Sequence, residues 1–264
     1  MTALQVFVDG VGLYAPGFNG WAHARTVLAA PQTYQATPLQ LPSIDSLPAA
    51  ERRRLGVAVK LAMAVGYDAA QQSPTDLQQL GTVFASSAGD CDNCHQILEA
   101  LASSDRAISP TRFHNSVHNA AAGYWSIATG SQQPSTSLSA YDAGFGAALL
   151  EAASQIRSNA RPCLLVAFDT PYPPPLRALR SIPHPFGVAL LLAPERSPTT
   201  LCSLTLSLTQ EPAHLMPTPD LEAMRCNVPA ARALPLLSAL ATQQPQDLVI
   251  EYLQGLNLAI TLQP

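Results

Sequence analysis

The sequence predicts an α/β protein, and three observations carry that reading. Short, almost wholly apolar runs recur at Thr82–Ser86, Cys163–Asp169 and Phe186–Ala193, the length and composition of buried strands. Stretches with apolar residues at three- and four-residue steps lie between such runs, which is helical spacing. An extended run from Ser135 to Ala140 passes through Tyr141-Asp142 into a small-residue helix, Gly144 to Arg157, so a strand turns abruptly into a helix.

Taken in order, Gln5 to Leu13 has the β-branched and aromatic content of a strand and ends at the turn residues Tyr14-Ala15-Pro16-Gly17. Trp21 to Ala30 forms a short helix before Pro31, and the proline-rich segment 31–48 is an irregular loop. The Glu51-Arg52-Arg53-Arg54 cluster starts a long helix reaching about Gln72, with Leu55, Val59, Ala62, Met63 and Gly66 as its buried stripe. Thr82 to Ser86 is a buried parallel strand, followed by the loop Ser87-Ala88-Gly89-Asp90 and a helix from Cys91 to Ala102. Pro110 to His118 is a loop and helix start, where His114 and His118, four apart, can face one side of a helix. From Val117 to Thr129 the helical positions Val117, Ala120, Ala121, Tyr124, Ile127 and Ala128 form the apolar face, and Gly130 is the stop. Tyr124 and Trp125 read as core or interface aromatics.

Cys163 to Asp169 is apolar enough to be central in a sheet, and Thr170 to Pro175 reads as a rigid polyproline segment. Phe186 to Ala193 is another buried strand, and Ser203 to Thr209 alternates with the period of a half-exposed one. Ala230 to Ala241 is a Leu- and Ala-rich helix. Asp247–Leu253 and Leu256–Leu262 form a hairpin through Gln254-Gly255.

Composition excludes several classes. The net charge is −4 and Lys60 is the only lysine, which opposes nucleic-acid binding and a polybasic membrane patch. No apolar run reaches the ~20 residues of a membrane span. Five cysteines, and an N-terminus (MTALQVFVDGVG) without a basic-then-apolar leader pattern, predict a cytoplasmic protein without a disulfide framework. With 47% hydrophobic and 12% charged residues, the chain has enough apolar surface to need a partner.

Two motifs bear on chemistry. Cys91-Asp92-Asn93-Cys94-His95 satisfies the C-x-x-C-H rule for haem attachment. Haem c requires export and a small helical fold, neither of which fits this chain. A zinc site would need two more ligands, and no second pair of matching spacing exists, although His114 and His118 lie close in sequence. The cysteines therefore read as small packing residues of the helix, and no metal is expected. The second motif is the strand-to-helix junction, where enzymes of several kinds place a nucleophile at a helix N-terminus. Here the junction residue is Tyr141, a poor acyl nucleophile because its phenol stays protonated at neutral pH.

The pattern Ser139-Ala140-Tyr141-Asp142-Ala143-Gly144-Phe145 resembles the β-ketoacyl synthase branch of the thiolase-like superfamily, with Tyr141 at the position of the catalytic Cys. The segment Phe113-His114-Asn115-Ser116-Val117-His118-Asn119-Ala120 resembles one sub-branch still more. These are the short ketosynthase-like proteins called chain length factors, found with aryl polyene and related pigment pathways. The resemblance covers residues 5 to 193. It implies a thiolase-like half: layered α-β-α with a mixed central sheet, plus a short C-terminal helix and strand remnant. Residues 1–200 would be the ketosynthase-like domain and 201–264 an extension (strand, helix, hairpin) closing the same domain.

The resemblance further implies a non-catalytic subunit without its own cofactor. Nothing after residue 200 offers the family's decarboxylating histidines, since His214 stands alone in EPAHLMP. The expected partners are a β-ketoacyl-ACP synthase, as a heterodimer, and transiently an acyl carrier protein whose phosphopantetheine arm reaches the synthase; the arginines at 52–54 are candidate contacts for that carrier. The heterodimer would form through residues 108–140, with the Ser135–Leu138 strand, and so Ser137 and neighbouring Ser139, along the seam. Phe113 and the helix carrying Cys91 and Cys94 would line the acyl tunnel, Tyr141 would stand as part of its wall where the synthases have a reaction centre, and His114, His118, Tyr124 and Trp125 would serve the interface. Two other readings remain open at this point. One is a stand-alone acyltransferase or decarboxylase using His114, His118 or a Cys91 thiolate; the other is a redox or haem protein.

Overall fold

The computed structural model describes residues 4–264. Among the described residues nine strands form a single mixed sheet: β1 (Leu4–Ala15), β2 (Phe18–Asn19), β3 (Gly81–Ala85), β4 (Ser135–Leu138), β5 (Cys163–Asp169), β6 (Phe186–Ala193), β7 (Cys202–Thr209), β8 (Gln246–Leu253) and β9 (Leu256–Gln263). Their order is β4-β3-β5-β6-β1-β7-β9-β8, with β2 appended to β1. β3 runs parallel to β4 and β5, and every other pairing is antiparallel.

Ten α-helices accompany the sheet in the described residues: α1 (Trp21–Ala29), α2 (Ala49–Arg52), α3 (Val57–Ala70), α4 (Cys91–Ala102), α5 (Pro110–His114), α6 (Ala120–Thr129), α7 (Gly144–Asn159), α8 (Pro174–Arg177), α9 (Pro219–Asn227) and α10 (Leu234–Thr242). The layers follow from strand alternation, because successive side chains of a strand face opposite ways. In β5, Leu164, Val166 and Phe168 join the core under α3 and α6, while Cys163, Leu165 and Ala167 join the core with α1, α7 and α10. The result is the expected α-β-α sandwich. A bulge in β1 between Val8 and Gly10 keeps Val6, Val8, Val11 and Leu13 all in the second core.

The buried strands and the C-terminal hairpin lie where the apolar pattern put them, with Gly255 at φ +74° in the hairpin turn. Several helices differ. The long helix expected from Glu51 is two pieces: α2 ends at Arg52 and α3 starts only after Gly56. A Cβ on residue 56 would stand 2.0 Å from an Asp90 carboxylate oxygen, so the chain bends where glycine lets Asp90 approach. Leu55 is buried, but from this bend and not from a helical stripe.

The helix expected from Val117 begins at Ala120, and its apolar face is narrower than its spacing implied. Ala121, Tyr124 and Trp125 are buried, but Val117 and Ile127 are exposed, at 53% and 58%. The polyproline segment is extended only to Pro173, and Pro174 then opens α8, as a proline can at a first helical turn. The helix expected from Ala230 starts as a 3-10 turn, Pro229–Ala233, before α10. Helix α9 was not expected; Thr218-Pro219-Asp220, with proline and an acid at the start, is its signal. Its Glu222 receives two hydrogen bonds from Arg225, and these hold its carboxyl down at about 2.

Candidate functional site

The parallel strands β3, β4 and β5 end together, and in α/β sheets the carboxyl ends of such strands are where ligands collect. At the end of β4, Ala140 leads into a 3-10 turn, Tyr141–Ala143, and then into α7. Tyr141 has φ +54°. For a residue with a Cβ this conformation costs roughly 1–2 kcal/mol and persists only where the surroundings impose it. The geometry is that of a nucleophile elbow, with a phenol at its apex.

Tyr141 is 64% exposed in the single chain. The Arg180 guanidinium lies 3.7 Å from its centroid and 5.9 Å from that of Tyr172. Arg180 is also ion-paired with Asp142. From there charges alternate in sign: Asp142 lies 3.6 Å from Arg232, Arg232 lies 3.2 Å from Glu251, and Arg225 lies 2.9 Å from Glu251 and 2.6 Å from Glu222. The Arg232–Glu251 contact is an ion pair without hydrogen-bond geometry. A cavity of about 640 Å³ opens beside the elbow, between Tyr141, Asp142, Arg232, Glu251, Tyr252 and Asn257.

Beneath the elbow sits Asp169, the last residue of β5 and 3% exposed. It accepts hydrogen bonds from the Ser87 N–H at 2.9 Å, the Ser87 hydroxyl at 2.6 Å and the Ala230 N–H at 2.9 Å. Burial raises its pKa; these hydrogen bonds and Arg180 oppose the rise only in part. Tyr172 Oη is 3.0 Å from Ser87 Oγ, and the Ser139 hydroxyl donates to the Ser87 carbonyl at 2.9 Å. One carboxylate therefore ties the loop after β3 to the turn before α10.

The other sequence candidates fall around this centre unevenly. Ser137 is half-buried in β4, which is the edge strand of the sheet. Phe113 is 67% exposed at the end of α5. His114 and His118 do not share a helix face: His114 ends α5 and is exposed, whereas His118 lies in the turn before α6 with Nε2 3.1 Å from the Ser86 carbonyl. The chain leaves the helix at Asn115, which is 6% exposed. Asn115 donates to the Arg54 carbonyl and accepts from the Tyr124 hydroxyl, so its side chain anchors the turn. Trp125 is a core residue, 1% exposed, with its ring centroid 4.9 Å from that of Tyr67.

Cys91 and Cys94 are both free thiols at the start of α4. The surroundings of Cys91 do not favour the thiolate expected at a helix N-terminus. Burial pushes its thiol up to about 11, and Cys94, Asp90 and Asp169 add to the shift. A helix N-terminus does not offset removal from water combined with acidic neighbours. Among the described residues, no group of three or more His, Cys, Asp and Glu is placed to hold a metal ion. Sequence reasoning missed Arg180, Arg232, Glu251 and Asp169. Of these only Asp169 left a trace, as a carboxylate closing an otherwise apolar run.

Residues 21–249 match the family model of the β-ketoacyl synthase N-terminal domain. No curated protein gives a significant match. Among solved structures, a chain of the ketosynthase ApeO in complex with its chain length factor ApeC, from Xenorhabdus doucetiae, superposes with a TM-score of 0.74 at 25% identity. That alignment covers 98% of this chain and 99% of that one. The ishigamide ketosynthase/chain length factor aligns over the same shares, with a TM-score of 0.75 at 13% identity. A chain of AntDE:AntF, a type II polyketide synthase acyl carrier protein in complex with its ketosynthase, again aligns over those shares, at 0.76 and 14%. The last two likenesses are of fold alone.

Proposed function

Because this chain belongs to the β-ketoacyl synthase N-terminal-domain family, we propose that it is a non-catalytic chain length factor, pairing with a β-ketoacyl-ACP synthase and shaping the tunnel in which the acyl chain grows. The observation that carries the reading is the elbow itself, whose strained apex holds a phenol and not a thiol. The likeness to a ketosynthase–chain length factor complex along the full chain supports it. In the same reading an acyl carrier protein serves the pair transiently, its phosphopantetheine arm reaching the synthase. Residues 201–264 are, in this reading, an extension that completes the same domain: β7 pairs with β1, and β9 and β8 follow.

Pairing would use the free edge of β4. The carbonyls of Pro134 and Leu138 accept from β3, so by alternation the N–H groups of Ser135 and Ser137 point away from the sheet, toward a partner strand. Proline at position 137 removes one outward donor and leaves the β3–β4 bonds in place. Ser137→Pro is therefore expected to cut co-purification with the co-expressed synthase by about tenfold or more while the isolated chain keeps its thermal midpoint. Unchanged recovery of the pair would end the edge-pairing idea.

The wall is tested at Phe113, a large apolar side chain left uncovered by this chain. Adding a methylene against a filled wall costs on the order of 1–3 kcal/mol, enough to bias product length. Phe113→Ala should lengthen the products of the co-expressed pair; an unaltered length distribution would remove Phe113 from the wall. The contrasting reading, an acyltransferase working alone, requires a covalent acyl adduct on this chain. Intact mass after incubation with an acyl thioester is expected to show none.

A further inference from the structure

We propose that Arg180 is the positioning residue of the elbow, holding the Tyr141 ring in one orientation through its face, with Asp142 and Arg232 as its anchor. Three observations converge. Tyr141 is largely exposed, so packing within this chain does little to orient its ring. The guanidinium stands 3.7 Å from the ring centroid, well inside the range of a cation–π contact, and its second aromatic neighbour, Tyr172, is itself tied to Ser87. Asp142, next in the chain to Tyr141, binds that same guanidinium, so a single arginine grips both the ring and the backbone unit that carries it.

The anchor extends into the C-terminal segment. Arg232 approaches the other Asp142 oxygen and is paired with Glu251 of β8, which also faces Arg225 of α9. These pairs are only partly covered, Asp142 being 42% exposed and Arg232 17%, and isolated surface pairs do little for stability. Their consequence is geometric. A lysine at 180 would keep the charge but lose the flat face that lies on the ring and the fork that reaches Asp142. Residues 219–251 thus supply charged side chains around the elbow, which gives this segment a role beyond closing the sheet.

The inference rests on the tunnel-wall reading of Tyr141 only for its effect on products, and the test separates the two. With 3-fluorotyrosine placed at position 141 of the isolated chain, the fluorine resonance is recorded for the parent and for Arg180→Ala, Arg180→Lys and Asp142→Asn. Arg180→Ala should move the resonance most of the way to that of free fluorotyrosine and narrow it. Arg180→Lys and Asp142→Asn should fall between, and they carry the test if the alanine variant does not fold. A resonance unmoved in all variants that fold overturns the proposal.

In the co-expressed pair, Arg180→Ala should broaden the product-length distribution, and the same change should add nothing in a Tyr141→Ala background. Equal broadening in both backgrounds overturns the clamp. A shifted resonance with unchanged products supports the clamp and removes Tyr141 from the tunnel wall.

Discussion

Gly12→Ala should leave little or no folded protein. A Cβ at position 12 would lie 2.0 Å from the Val65 carbonyl oxygen, 2.9 Å from its carbon and 3.1 Å from the Ala69 nitrogen. All three are backbone atoms of α3, so no side chain can rotate away. Gly10 makes the same approach one step along β1, at 2.1 Å from the Ala69 carbonyl oxygen, and Gly187 meets Leu61. Helix α3 therefore rests directly on the backbones of β1 and β6. Making room would lift it off the layer it shares with Leu164, Val166 and Phe168. Overpacking usually costs about 1–3 kcal/mol where side chains can yield. With backbone on both sides, a cost above about 4 kcal/mol is expected, against a typical total of 5–15 kcal/mol. Soluble yield and the urea midpoint measure it. Gly123→Ala is the control: nothing lies within 4 Å of its Cβ, and in a helix interior it should be neutral or stabilising by about 0.5–1 kcal/mol. If Gly12→Ala matched that control, the close-packed layer would not be what holds α3.

Asp169→Ala is expected to destabilise by about 2–4 kcal/mol. Two backbone donors, the part-buried Ser87 N–H and the buried Ala230 N–H, lose their acceptor, at about 1–3 kcal/mol for a buried one and less where water can reach it. Relief from burying the carboxyl group offsets part of this. The loss should be local first: amide exchange at Ala230 and proteolysis near Pro229–Ala233 should accelerate before global unfolding. A uniform effect, with residue 230 no faster than the core strands, would count against the tie.

The pH dependence has a defined sign. Burial raises the folded-state pKa of Asp169 above its ordinary 3.8. Its contribution to stability is therefore complete below that value and is lost as pH rises through the raised one. Asp169→Asn, which cannot ionise, should flatten that part of the stability–pH curve.

The elements that were legible in the sequence are those whose burial is written into composition. Cys163–Asp169 and Phe186–Ala193 are apolar throughout because both faces of each strand are covered, and their bounds coincide with β5 and β6. The helix from Cys91 to Ala102 is bounded at its start by Asp90, whose carboxylate accepts the Asn93 N–H, a signal carried by neighbouring residues. The elbow was legible for the same reason, since strand, turn and small-residue helix are contiguous. The break at Gly56 was not, because an uninterrupted helical spacing runs through it and the Asp90 carboxylate that decides the bend comes from far along the chain. His118 left the expected helix face because Asn115 is held by Arg54 and Tyr124.

What the sequence determined by itself was the layered α/β scaffold and the strand-turn-helix elbow with Tyr141 at its junction, since both are properties of local runs. Only the tertiary structure decided what surrounds that phenol. Asp142 and Arg180 are 38 residues apart, and Arg232 and Glu251 arrive from the opposite side of the sheet order, so no local period records them. Their proximity arises when β8 and β9 extend the sheet and α7 packs across it, because ion pairs and ring contacts depend on distance in space and not along the chain.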